Sequence, residues 1–156
     1  MAITEVVFSR SIADSMRIRK EIEADVDEQK QNDNIEDDDI DLTKFNDEND
    51  CLKDLLDSIG YLVKLHGEDY MQVLDQVLGP YLAEFISSTS SFALLTFSID
   101  LLSDIFEYGG SNAAAYISTY LPQLIAGLSD SPDEDVRQSC SYAILQVVRH
   151  HMEVGR

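Results

Sequence analysis

The chain has 156 residues, a formal net charge of −19, few glycines (7) and prolines (3), and no tryptophan. That length suits one domain of ordinary size, and an apolar fraction of 44% lets part of it bury a core. The acidity argues against nucleic acid and anionic membrane surfaces as direct partners, since both need lysine and arginine, and it favours a basic protein partner.

Residues 4 to 31 hold good helix formers and no glycine or proline. They predict a flanking helix over 1–31, amphipathic early and solvated late. Residues 21 to 50 then carry fourteen acids against two lysines, −12 of the total charge. Within that stretch, 32–46 is expected to be an acidic loop with a disordered centre, because like charges repel and few apolar residues can be buried. The cluster Glu36, Asp37, Asp38, Asp39 and Asp41 lies there. It lacks the alternating ligands and terminal glutamate of a calcium loop. Its plain reading is a solvated linker, and its functional one an acidic lure for basic partners.

From Asp47 onward the pattern changes. Leu52, Leu55, Leu56, Ile59, Leu62, Val63 and Leu65 recur at helical spacing, and Gly67 is placed as a left-handed cap that ends the helix. A second stripe runs over 69–87, with Gly79-Pro80 expected to kink it. A serine and threonine turn leads to a third helix over 92–108, closed by Gly109-Gly110. A fourth runs from Asn112 to Leu128 with Pro122 inside. The turn LSDSPDED then precedes a last helix over 133–152, with Asp130 or Ser131 as its expected N-cap.

An offset of 42 residues superimposes these elements. Gly67 falls on Gly109 and Pro80 on Pro122. Ile59 meets Leu101, Val63 meets Ile105, and Leu82 meets Leu124. A second step of 42 sets Leu101 on Ala143 and Phe106 on Val148. Helix pairs that repeat at about 40–47 residues carry the HEAT/armadillo period. The expected fold is therefore all-α, a short HEAT-repeat (ARM-like) α-α superhelix, with repeats at 47–87 and 91–128 and the first helix of a further repeat at 133–152. Asp135 and Arg137, with the loop acid Asp130, read as structural. The aspartate suits a helix N-terminus, and the arginine can pair with Asp130 or with a neighbouring repeat.

The run FALLTFSIDLLSDIFEYGG, followed by YISTYLPQLIAGLSDSPDEDVRQSCSYAI, resembles the importin-beta (karyopherin-beta) family of nuclear transport receptors. The likeness is greatest to the branch that imports ribosomal proteins and histones. There a basic helix leads into an acid-rich insert and then HEAT pairs, and SMRIRKEIEADVDEQKQNDNIEDDDID fits helix and insert. The VRQ-x-x-x-Y segment is common to HEAT proteins, whereas its ordered combination with the insert is more specific. The resemblance covers roughly 9 to 150. It implies a binding protein found in cytoplasm and nucleus, carrying basic cargo proteins in a Ran-dependent way. Family members stack about twenty repeats, so the chain reads as an internal segment of a larger receptor. Ran and nucleoporins would be met by the full-length receptor, and no Ran-contacting residue is carried over. The other reading is a HEAT scaffold unrelated to transport.

Nothing points to an enzyme, a cofactor or a metal. Cys51 and Cys140 are far apart, which fits two ordinary thiols in a reducing compartment. His150 and His151 are neighbours about 100° apart on a helix and cannot chelate together. No nucleotide-binding, serine-hydrolase or zinc-protease motif occurs. The N-terminus lacks a signal-peptide core and no apolar run is long enough to span a bilayer, so a soluble intracellular protein is expected. Tyr108, Tyr116, Tyr120 and Tyr142 are core candidates, with cargo contact open to any that are exposed.

Overall fold

A computed structural model describes residues 3–31, 43–87 and 91–152. Every regular element among them is helical. The chain divides into two compact units, Met1–Leu55 and Leu56–Arg156.

The first unit holds α1 (Ile3–Gln31) and the N-terminal half of α2 (Thr43–His66). α2 starts four residues before the expected Asp47. The acid run ends at Asp41, and neither glycine nor proline follows to stop a helix propagating back to Thr43. Ile12 and Met16 of α1 and Leu52 of α2 are buried, one stripe on each helix. Between them Ser15 Oγ approaches Cys51 Sγ at 3.8 Å. One turn on, Arg19 is only 2% exposed and its guanidinium donates to the Asn49 side-chain oxygen. Glu23 Oε1 stands 3.9 Å from it. A charge this deep persists because a hydrogen bond and an opposite charge replace part of its water. Beyond it Ile22 and Glu23 are part-exposed and the other described side chains of α1 are exposed, in keeping with its acidic composition.

The second unit repeats one motif. The C-terminal half of α2 is followed by α3 (Glu68–Val77) and α4 (Gly79–Ser87). Then α5 (Phe92–Tyr108) joins α6 (Ala114–Asp130) through a 3-10 turn, Gly110–Ala113, and α7 (Glu134–His151) packs on both. Connections this short force neighbouring helices to run antiparallel. The result is an all-α helical-repeat fold of the HEAT type. Its core holds Ile59, Val63, Leu74, Leu82, Phe85, Leu102, Ile105 and Phe106, each fully or almost fully buried. Each such side chain contributes roughly 1.5–3 kcal/mol by leaving water.

The two prolines that share a repeat position behave differently. At Gly79-Pro80 the expected kink is a full break: α3 ends at Val77 and α4 restarts at Gly79. Leu78 N–H closes the first helix on Leu74 O at 2.8 Å, and Leu78 O opens the second by accepting from Tyr81 N at 2.9 Å. Proline denies the ladder an N–H, and the glycine before it has no Cβ to favour helix. Pro122 instead sits inside a continuous α6. It and Ser118 are both exposed, so the carbonyl it leaves without a donor is within reach of water. Gly67 does end α2 at positive φ, but at φ 58° and ψ −133° rather than in the left-handed helical region.

Candidate functional site

Of the residues singled out in the sequence, Glu36, Asp37, Asp38, Asp39 and Asp41 lie outside the described residues. Asp130, Asp135 and Arg137 are described. Asp130 is the exposed last residue of α6, and Asp135 is exposed in the first turn of α7. Arg137 is half-buried and donates to the Ser131 carbonyl at 2.8 Å, so it fastens α7 to its own entry turn through a backbone oxygen. The N-cap is neither Asp130 nor Ser131 but Asp133, whose Oδ1 accepts from Val136 N at 3.0 Å. Ser131 accepts from Asp133 N instead, at 3.3 Å. The turn between α6 and α7 needs two residues more than the capping pattern indicated, which moves the helix start to Glu134.

The acidic character of the chain extends well past its central run. From Glu68 to Val136 there are eleven acids and no lysine, arginine or histidine. At least four of these acids are used by the fold. Asp104, on α5, is part-buried and faces Lys64 Nζ of α2 at 3.4 Å. Burial pushes its carboxyl above the ordinary range despite the lysine, and Asp104 in turn holds the Lys64 ammonium up. Glu68, at the start of α3, accepts from the Ser111 hydroxyl at 2.5 Å and the Ser111 amide at 2.6 Å. These bonds hold its carboxyl below the usual range. Asp75 accepts from the Tyr116 hydroxyl across α3 and α6. Tyr116 is pushed upward first by burial and then by that bond. Asp133 is the N-cap just described. The others, including Asp69, Glu84 and Asp130, are exposed or part-exposed. A surface carrying one sign of charge attracts the opposite sign and slows the approach of its own.

The tyrosines separate cleanly. Tyr116 and Tyr120 are buried, their rings stacked with centroids 6.4 Å apart, while Tyr108 and Tyr142 are exposed. Tyr61 and Leu65, one turn apart on α2, are more open still at 62% and 59%. The sequence treated Leu65 as part of the core stripe and did not single out Tyr61. A helical wheel centred on Ile59 and Val63 places both off that stripe, which is the signal that could have found them. His151 bonds the Phe106 carbonyl through Nε2 at 2.5 Å, so it joins α7 to α5. Cys140 is buried, and burial pushes its thiol up to about 11. Among the described residues no group of three metal-ligating side chains comes together, and no helix is long and apolar enough to cross a membrane.

Set against known proteins, the chain is 27% identical over 136 residues to importin subunit beta-3 of Saccharomyces cerevisiae. The likeness is to an importin. The aligned part takes in 87% of this chain and 12% of the yeast importin. No family model and no solved structure matches. The likeness to this importin agrees with the helical-repeat fold, and the residues aligned amount to a small part of that protein's length.

Proposed function

We propose that this chain is a helical-repeat segment of a nuclear import receptor that binds basic cargo proteins, of the kind that ribosomal proteins and histones exemplify. The observation that carries the reading is the charge distribution on a helical-repeat fold. One acidic run of −12 at 21–50 and a later stretch, 68–136, of 69 consecutive residues without a single cation occur in a chain similar to an importin. Long-range attraction draws a lysine- and arginine-rich cargo to this surface, and shape-fitted docking follows. Glu36, Asp37, Asp38, Asp39 and Asp41 are the proposed capture residues. Ran and nucleoporins would act on the whole receptor in cytoplasm and nucleus, and Asp130, Asp135 and Arg137 would serve structure rather than cargo.

The test is anisotropy of a labelled lysine- and arginine-rich peptide titrated with the chain at several salt concentrations. Affinity is expected to fall steeply as salt rises, and to fall again when the five acids become Asn and Gln. An affinity indifferent to both changes would overturn the mechanism.

The exposed apolar positions Tyr61 and Leu65 favour a second reading, a scaffold that assembles a complex through apolar contacts. Binding of Ran or of Phe-Gly repeats by the full-length receptor separates the two.

A further inference from the structure

Three polar contacts join the pair α2–α4 to the pair α5–α6. Lys64 meets Asp104, Glu68 meets Ser111, and Asp75 meets Tyr116. Each spans close to one repeat in sequence, 41 residues for Asp75–Tyr116 and 43 for Glu68–Ser111. Their places in the fold differ. Lys64–Asp104 lies between the first helices, near their C-terminal ends. Glu68–Ser111 lies at the corner where each first helix gives way to its second, reinforced by Asn112 Nδ2 on the Glu68 carbonyl at 3.5 Å. Asp75–Tyr116 lies between the second helices, about 10 Å along α3 from Glu68 at 1.5 Å per residue. One contact is a pivot and two define an axis. A third off that axis leaves no rotation free.

The contacts do not belong to the repeat as such. One repeat further along the chain, Phe106 stands at the position of Lys64, Gln146 at that of Asp104, Gly110 at that of Glu68 and Ile117 at that of Asp75. Phe106 and Gln146 are buried, at 0% and 1% exposure, where Lys64 and Asp104 keep an ion pair. The ion pair also depends on Gly60. A Cβ there would stand 2.5 Å from Asp104 Oδ2, so the bare helix face lets the carboxylate lie against α2 and reach Lys64.

We infer that Lys64–Asp104, Glu68–Ser111 and Asp75–Tyr116 form a three-point clasp that makes the two helix pairs one rigid body. Apolar packing sets the distance between stacked helices and interdigitates against large shifts, but its driving force is non-directional and adds less resistance to small sliding. Hydrogen bonds and ion pairs resist it, because they have geometry. The clasp removes sliding and rocking between α3 and α6, and bending is left to junctions without it. It does not rest on the function proposed above: any partner that reads these two pairs meets a pre-organised surface, which lowers the ordering cost of binding.

The experiment measures the distance distribution between spin labels at Gln76→Cys on α3 and Gln123→Cys on α6, both exposed positions, in the full chain with Cys51→Ser and Cys140→Ala. The distribution is expected to be narrow. In the triple variant Lys64→Met, Glu68→Ala, Tyr116→Phe it is expected to broaden while the helical circular dichroism is unchanged. An unchanged width overturns the clasp, and so does a width that is already broad in the parent. If the triple variant loses helix, Glu68→Ala alone is held to the same criterion, since it touches only the exposed corner.

Discussion

Replacing Asp133 with alanine removes the acceptor for the Val136 amide and is expected to destabilise the chain by about 1 kcal/mol. Asp130→Ala, at an exposed helix end, should stay within about 0.5 kcal/mol of the parent. Urea unfolding of the two variants side by side decides it, and equal losses would return the cap to Asp130. Asp104 gives a pH signature. Its carboxyl is raised, mainly by burial, so the stability it contributes is present in full below the ordinary carboxylate range and is lost as pH rises through the raised value. Asp104→Asn has no such group. The melting temperature of the parent should therefore gain on that of the variant as pH falls from neutral into mild acid. A difference that stays flat with pH would show that the carboxyl titrates alike in both states. Glu68 works in the opposite sense: its lowered value means support that is present above the ordinary range and is lost as pH falls through the lowered one.

Among the elements, the helix ends were less legible than the helices. The stripes of α5 and α7 could be read from spacing because a buried face recurs every three or four residues whatever lies against it. Where a helix stops depends on competing local bonds that spacing does not report. Gly67 was readable as a stop, since glycine alone takes positive φ without strain. Its ψ of −133° belongs to a region closed to other residues. Gly67→Ala should thus cost about 1–3 kcal/mol, observed as a lower midpoint in chemical unfolding with an unchanged slope. A loss no larger than a few tenths would mean that the turn relaxes. The different fates of Pro80 and Pro122 were not readable, because each proline presents the same missing N–H. What differs is the residue before each, Gly79 against Leu121, since Gln76 and Ser118, whose carbonyls lose a donor, are alike exposed.

At the scale of the whole molecule, the repeat exposes what α7 presents to solvent. Ser103 and Phe106 of α5 are 2% and 0% exposed, while their equivalents on α7, Leu145 and Val148, are 39% and 41% exposed. Tyr142 and Met152 extend the same open stripe. A row of large apolar residues at helical spacing is a contact surface in waiting. The chain is therefore expected to self-associate, as sedimentation velocity would record, and Leu145→Glu with Val148→Glu should return it to a monomer without loss of helix. A parent that sediments as a compact monomer contradicts this.

The sequence by itself determined that the chain is helical, that its helices recur with a step of 42, where most of the core faces lie, and that the molecule is acidic. These follow from the order of apolar, breaking and charged residues, and need no knowledge of what packs on what. Tertiary structure alone decided which acids are spent on the fold. Asp75, Asp104 and Glu68 look in sequence like any other surface acid, and each acquires its role from a residue about forty positions away. It likewise decided that Arg137 bonds a backbone carbonyl and that Tyr116 is buried while Tyr142 is open. The physical reason is range. Periodicity and propensity act within a few residues, whereas burial and hydrogen-bond partnership are set by whichever helix the chain brings alongside.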